Sequence, residues 1–175
     1  MQPVTREAIE AEIGVLVGEP VSYWLRAADM ADIGFGANET MHGPLGSHEV
    51  SSFILHVQCA WRIVRDGRVI VGSLDYHFPP IDSAIDPADF EARDARRNLR
   101  DDLEAAFLAH LDGPHFVEAV EGRSTGDVRI VFVDGCVFET FVWSAQRAET
   151  DDEHWRFFRP NAPTHFVVTA AGIVA

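Results

Sequence analysis

The sequence predicts an α+β fold built on a predominantly antiparallel sheet of hairpins. Strand-like runs lie on both sides of a central helical segment. Asp66-Gly67 and Asp134-Gly135 each separate two β-rich runs, and Asp-Gly in that position is a strong hairpin signal. Because hairpins join antiparallel strands, the sheet is expected to be antiparallel and curved. The sequence does not decide whether this curved sheet forms a partial barrel.

The whole chain, residues 1–175, is expected to form a single domain. Its length falls within the usual range for one domain. The composition is 47% hydrophobic, 10% aromatic and 24% charged, a balance typical of a packed globule.

A short N-terminal helix is predicted over residues 6–17. Ile9, Ile13 and Leu16 recur there at helical spacing, and Thr5 can cap the first turn.

A central helical insertion is predicted between the two Asp-Gly hairpins. Asp86 can cap a helix that has Pro87 at its first position. The apolar positions that repeat farther along are Leu99, Leu103, Phe107 and Leu111.

Charged residues of this insertion are expected to form an exposed helical surface with local ion pairs. These residues are Arg96, Arg97, Arg100, Asp101, Asp102 and Glu104.

The remaining segments predict strands and one long loop. Residues 21–35 have the pattern of a hairpin, and residues 39–49 that of a loop rich in glycine and proline. Residues 53–63 form the strongest strand pattern. About five strands are expected after the insertion, the last two near 153–159 and 164–169.

Strict alternation marks residues 53–63 as a strand with one core face and one polar face. The core positions are Phe53, Leu55, Val57, Cys59, Trp61 and Ile63. The alternate positions include His56, Gln58 and Arg62.

His56 and Cys59 therefore point to opposite sides of the predicted strand and do not form a metal or nucleophile site. Cys59 is expected to be a buried, inert thiol. His42 and His48 share a loop, but the eight histidines have no paired ligand spacing. The sequence predicts no metal and no cofactor.

Polar residues on the sheet are the candidate ligand-binding groups. His154 and Arg156 share a face with Phe158 in the pattern "EHWRFFR", and arginines beside tryptophans could bind a carboxylate. Alternatively, these arginines pair with internal acids or pack their stems over the sheet. The predicted ligand-binding residues are His56, Gln58, Arg62, His154, Arg156 and His165.

The excess of acidic over basic residues restricts the class of partner. The formal net charge is -14, from 28 acidic and 14 basic residues, and this field repels nucleic acid and anionic membranes. It attracts a basic protein partner. The chain shows no signal-peptide pattern and no apolar run of spanning length, and its cysteines lie in strand-like segments, so a cytoplasmic location is expected.

Several blocks resemble an uncharacterised bacterial family of small acidic α+β proteins. The blocks are "DMADIGFG", "HVQCAWRIV", Gly72-Ser73-Leu74-Asp75, "EHWRFFRP" and "HFVV". The resemblance implies a bacterial, cytoplasmic, single-domain protein. It implies no reaction and transfers no role to any residue of this chain.

The predicted function is that of a non-enzymatic binding protein whose acidic surface docks a basic macromolecular partner, as an immunity or adaptor protein does. The alternative is a small-molecule-binding protein or enzyme with a pocket on the polar face of the curved sheet. No P-loop, G-x-S-x-G, H-E-x-x-H or C-x-x-C motif identifies a reaction, so the sequence leaves catalysis open.

Overall fold

The computed structural model describes residues 2–43, 46–110, 113–144 and 152–175. The α+β prediction is confirmed: the described chain contains two antiparallel sheets, a short N-terminal helix and a central helix. The helices are α1 (Arg6–Ile13) and α2 (Leu99–Leu108). The strands are β1 (Val21–Ala27), β2 (Met30–Gly43), β3 (Gly46–Val57), β4 (Ala60–Arg65), β5 (Arg68–Gly72), β6 (Val117–Gly122), β7 (Val128–Phe132), β8 (Val137–Phe141), β9 (Glu153–Phe158), β10 (Phe166–Thr169) and β11 (Gly172–Val174).

The strands form a six-stranded sheet and a five-stranded sheet. Their orders are β1-β2-β3-β9-β10-β11 and β5-β4-β8-β7-β6. Every pairing within them is antiparallel. Among the described strands, the two outer strands of each sheet do not pair with each other, so neither sheet closes into a barrel.

The strand predicted over residues 53–63 is divided between the two sheets. β3 belongs to the six-stranded sheet and β4 to the five-stranded sheet, with a corner at Gln58 and Cys59. The backbone N–H groups of both corner residues donate to the His154 carbonyl oxygen, over 2.8 and 3.0 Å. The predicted inward positions remain inward on both sides of this corner. Leu55, Val57, Cys59, Trp61 and Ile63 are buried, and Phe53 is half-buried.

The prediction of a loop over residues 39–49 is wrong. β2 and β3 continue pairing from Glu39 opposite Val50 to Gly43 opposite Gly46. Residues 44 and 45 lie outside the described residues, as do the side chains of His42 and His48.

The N-terminal helix begins as predicted, since the Thr5 side chain accepts a hydrogen bond from the Ala8 N–H over 3.1 Å. Its apolar face continues into a 3-10 turn at Gly14–Leu16. The helix packs closely on β6, because a Cβ atom at Gly122 would lie 2.9 Å from the Ile9 side chain. A larger residue at Gly122 would displace α1 from the core.

The central insertion contains two short 3-10 helices, Pro87–Asp89 and Ala92–Asp94, followed by α2. Asp86 caps a short 3-10 helix at Pro87–Asp89, and Asn98 caps α2 in a capping box with Asp101. Leu111, the last apolar position of the predicted pattern, lies outside the described residues. No helix within the described ranges has the length and apolar character required to cross a membrane.

The predicted local ion pairs form, Arg97 with Asp102 and Arg100 with Glu104, but the prediction that these charged residues are exposed is wrong for Arg100 and Glu104. Arg100 is fully buried at 0% exposure, and its Nε donates to Glu104 over 2.7 Å. Its Nη atoms donate to the carbonyl oxygens of Asp29 and Met30, in the turn between β1 and β2. The guanidinium also lies 4.8 Å above the Trp61 ring. Spacing along a helix shows which residues are neighbours, but it could not show that a distant turn would supply acceptors for Arg100.

Removal of Arg100 should destabilise the fold strongly, because it leaves Glu104 as a buried carboxylate without its partner. Breaking a buried ion pair in this way costs about 3 to 5 kcal/mol. Arg6 and Glu10 provide a matched control, since they form an Arg–Glu pair at the same i,i+4 spacing on an exposed helix surface. Urea melts should show a large loss for Arg100→Ala and a much smaller one for Arg6→Ala. Equal losses would contradict the burial of this pair.

Candidate functional site

The structure brings together four of the predicted ligand-binding residues on the outer face of the six-stranded sheet. His56 on β3 lies directly opposite Arg156 on β9. Gln58 follows β3, and His165 precedes β10 in the same sheet. We call this surface the His56 face. Its members are Tyr23, Asp32, His56, Gln58, Glu153, Arg156, Phe158 and His165.

Asp32 joins the strands on one side of the His56 face. Its Oδ1 accepts a hydrogen bond from the Tyr23 hydroxyl over 2.9 Å and lies 3.4 Å from His56 Nε2. Burial raises the pKa of Asp32, but His56 and Tyr23 stabilise its charged form, so the net shift is downward. Gly34 makes this geometry possible, since a Cβ atom there would lie 2.2 Å from the Tyr23 ring.

Glu153 joins the strands on the other side of the face. It accepts hydrogen bonds from Gln58 Nε2 over 3.0 Å and from Arg156 Nε over 2.6 Å, with a second bond from Arg156 Nη2. Phe158 lies between two histidines, with His56 edge-on at 5.0 Å and His165 stacked at 4.2 Å between ring centroids. These contacts fix the side chains in a flat array whose charged groups are paired with one another.

Arg62 lies apart from this group, on the outer face of the five-stranded sheet. It begins a row of alternating charges across β4, β8, β7 and β6. Arg62 pairs with Glu139 at 2.9 Å, Glu139 with Arg129 at 3.6 Å, and Arg129 with Glu121 at 3.1 Å. Arg62 is thus engaged with an internal acid, as the alternative interpretation of the arginines described.

His154 does not share a face with Arg156 and Phe158, and that part of the sequence interpretation is wrong. The pairing of β9 with β10 shifts so that Trp155 lies opposite Val168 while Glu153 lies opposite Thr169. His154 is the extra residue of this bulge. The alternation of side chains between the two faces of the strand is therefore interrupted at His154. Its side chain is 2% exposed, and Nε2 lies 3.1 Å from Ser144 Oγ.

Both cysteines are buried and free. Burial raises the pKa of the Cys59 thiol to about 12, and burial together with Asp134 raises that of Cys136 to about 12. Neither thiol is therefore a thiolate near neutral pH. In the part of the chain that the structure describes, no three His, Cys, Asp or Glu residues are grouped to hold a metal ion.

A buried histidine that the sequence analysis did not single out connects α2 to the hairpin of β7 and β8. His115 Nδ1 lies 3.0 Å from Asp134 Oδ2, and Nε2 lies 2.7 Å from the Phe107 carbonyl oxygen. Each ring nitrogen thus lies within hydrogen-bond distance of an oxygen atom. The histidine thereby ties the last turn of α2 to the five-stranded sheet.

An exposed acidic segment forms the part of the central insertion that precedes α2 and includes the 3-10 helix Pro87–Asp89. Residues 81–91 contain four carboxylates and no basic residue. Ile81 and Ile85 within it are 70% and 51% exposed. The segment is anchored to α2, because Asp102 accepts a hydrogen bond from the Ile81 N–H over 2.8 Å and Arg97 contacts both Asp82 and Asp102.

No family model, curated protein or solved structure matches this chain. The resemblance to an uncharacterised bacterial family therefore stays a prediction. The candidate sites must be judged by their own geometry.

Replacement of Asp32 with Asn should reduce the pH dependence of stability in acid. Since the pKa of Asp32 is lowered in the folded state, its carboxylate contributes stability that is fully present above the ordinary value of 3.8. That contribution is lost as pH falls through the lower folded-state pKa. Urea melts of the wild type and Asp32→Asn should differ most above pH 3.8 and less below it. Tyr23→Phe, which removes only one donor, should have a smaller effect. A difference that grows as pH falls would contradict this assignment.

Proposed function

We propose that the protein docks a basic protein partner through its acidic segment, residues 81–91. The observation that carries the proposal is the exposure of apolar side chains within a segment of one charge sign. Ile81 and Ile85 are exposed beside Asp86, Asp89 and Glu91, which are exposed as well. Interfaces commonly combine an apolar centre with a polar rim.

The acidic segment suits this role better than the helix beside it. Asp101 pairs with Arg26 at 2.8 Å, and Glu104 pairs with the buried Arg100. These carboxylates stabilise the fold and are not free for a partner. Asp102 instead holds the start of the segment against α2. The start of the segment is therefore held in place, which lowers the entropy lost on binding.

The net charge of -14 adds long-range attraction for a basic partner. Such attraction acts chiefly on the association rate and is screened by salt. An immunity-like or adaptor-like role fits these properties, as does a cytoplasmic location. The same charge argues against nucleic acid and membranes as partners.

A second candidate function is supported by the His56 face. His56, Gln58, Arg156 and His165 converge there, which favours a small-molecule site on the polar side of the sheet. Two features weigh against it. Arg156 is already paired with Glu153, and the aromatic rings pack on one another along the face. A ligand would have to displace contacts that the protein makes within itself.

Carbodiimide cross-linking in a lysate of the source organism provides a sharp test of docking. The reagent joins carboxylates to amines, and this chain contains no lysine. Cross-links from carboxylates of residues 81–91 should therefore lead to lysines of one partner protein. With that partner purified, its association rate should fall as salt rises from low to physiological strength.

The matched variants are two double charge reversals of equal size. Asp89→Arg with Glu91→Arg should slow association with the cross-linked partner by at least about tenfold. Glu49→Arg with Glu118→Arg reverses two exposed carboxylates elsewhere and should have a much smaller effect. Equal slowing by both pairs would show only a response to net charge. That result, or cross-links confined to other carboxylates, would refute the assigned surface.

A further inference from the structure

A cleft of about 260 Å³ opens beside the corner of the two sheets, and its lining residues belong neither to the acidic segment nor to the His56 face. Its walls come from the N-terminal segment, the turn between β6 and β7, the segment after β8, the start of β9 and the turn after β10. The lining residues are Val4, Ser124, Thr125, Val142, Ser144, His154, Thr169 and Ala170.

A serine and a histidine are hydrogen-bonded to each other inside this cleft. Ser144 Oγ lies 3.1 Å from His154 Nε2, within the distance at which a general base takes a proton from a nucleophile. His154 is 2% exposed and lies in the bulge of β9. Its carbonyl oxygen accepts the N–H groups of Gln58 and Cys59, so the backbone that carries the imidazole is held on both sides.

The surroundings of His154 suit a general base. Burial lowers the pKa of His154 below its ordinary value, although Asp152 and Asp127 act in the opposite direction. The imidazole is therefore neutral, and able to accept a proton, at a lower pH than an ordinary histidine. The two carboxylates favour the imidazolium that forms once the proton is taken.

The opposite wall of the cleft is fixed by hydrogen bonds. Asp127 accepts from the Thr125 hydroxyl over 2.5 Å and from the Val142 N–H over 2.6 Å. Trp155 Nε1 donates to the Gly126 carbonyl oxygen over 2.7 Å. Gly126 has φ of 98°, a conformation that glycine adopts readily. A wall held in this way keeps its shape when a ligand enters.

We infer that Ser144 and His154 form the nucleophile and general base of a hydrolytic site for small esters. The valines that line the cleft, Val4 and Val142, provide an apolar surface for a short acyl chain.

The chemistry needs only an ester and water. Ser144 Oγ attacks the carbonyl carbon while its proton passes to His154 Nε2, and the alcohol then leaves with that proton. Water attacks the acyl-serine as His154 accepts a proton from it. That proton returns to Ser144 Oγ as the carboxylic acid is released. The net reaction is ester plus water to acid plus alcohol.

A fluorophosphonate probe and p-nitrophenyl acetate test the site in the full-length protein. The probe should form one adduct on Ser144, located by peptide mass spectrometry, with loss of fluoride. Release of p-nitrophenol should fall by about a hundredfold or more in Ser144→Ala and His154→Gln, which is the usual contribution of a general base. Ser52→Ala, a serine variant on β3 outside the cleft, should keep at least half of the wild-type rate.

The pH profile separates catalysis from a structural role of the same residues. The wild-type rate should rise with pH and level off below the ordinary histidine pKa of 6.5, because the free base of His154 is the active form. Circular dichroism melts identify any variant that does not fold. If His154→Gln is unfolded, the adduct on Ser144 and the pH profile decide the question. Absence of a Ser144 adduct, or an equal loss of rate in Ser52→Ala, would overturn the inference.

Discussion

Two hydrogen bonds to one carbonyl oxygen determine how the two sheets are connected. The N–H groups of Gln58 and Cys59 both donate to His154, where the chain leaves the six-stranded sheet and enters the five-stranded sheet. Side chains continue to alternate between inward and outward positions through this corner, so the inward side chains of β3 and β4 enter one core. The outward side chains of the two strands instead lie on the outer faces of two different sheets. His56 and Arg62 are consequently separated, although they are near each other in the sequence.

The same corner relates the candidate sites to one another. The bulge in β9 turns His154 into the cleft and leaves Glu153 on the outer face, where it binds Gln58 and Arg156. Charged residues on both outer faces are largely paired within the sheet. Docking is proposed instead at residues 81–91, where Asp86, Asp89 and Glu91 are exposed. The cleft, the His56 face and the acidic segment can then be tested independently.

Local patterns predicted much of the fold. Alternation identified the inward positions of residues 53–63, and the Asp-Gly pairs marked two hairpin turns. These turns have the positive φ values that favour Asp and Gly, including 50° at Asp66 and 72° at Gly67. The Thr5 cap and the apolar faces of both helices also depend on near neighbours. Such features could be predicted because their causes lie within a few residues.

Features that depend on distant partners could not be predicted in this way. Arg100 is buried because carbonyl groups of the turn between β1 and β2 accept its protons. Asp32 and Tyr23 belong to the His56 face only because β1, β2 and β3 are adjacent and Gly34 leaves room for a ring. Ser144 contacts His154 because a bulge in β9 changes the face of the strand on which the His154 side chain lies. Pattern within one strand contains no information about the register of its partner.

Amide hydrogen exchange at the corner tests the central claim most directly. If the Gln58 and Cys59 amides are both bonded to His154, they should exchange slowly, at rates similar to those of Leu55 and Ile63 in the adjoining strands. Residue-resolved exchange followed by NMR measures all four amides in one experiment. Exchange of Gln58 and Cys59 at the rate of an open loop, while Leu55 and Ile63 remain protected, would contradict the account.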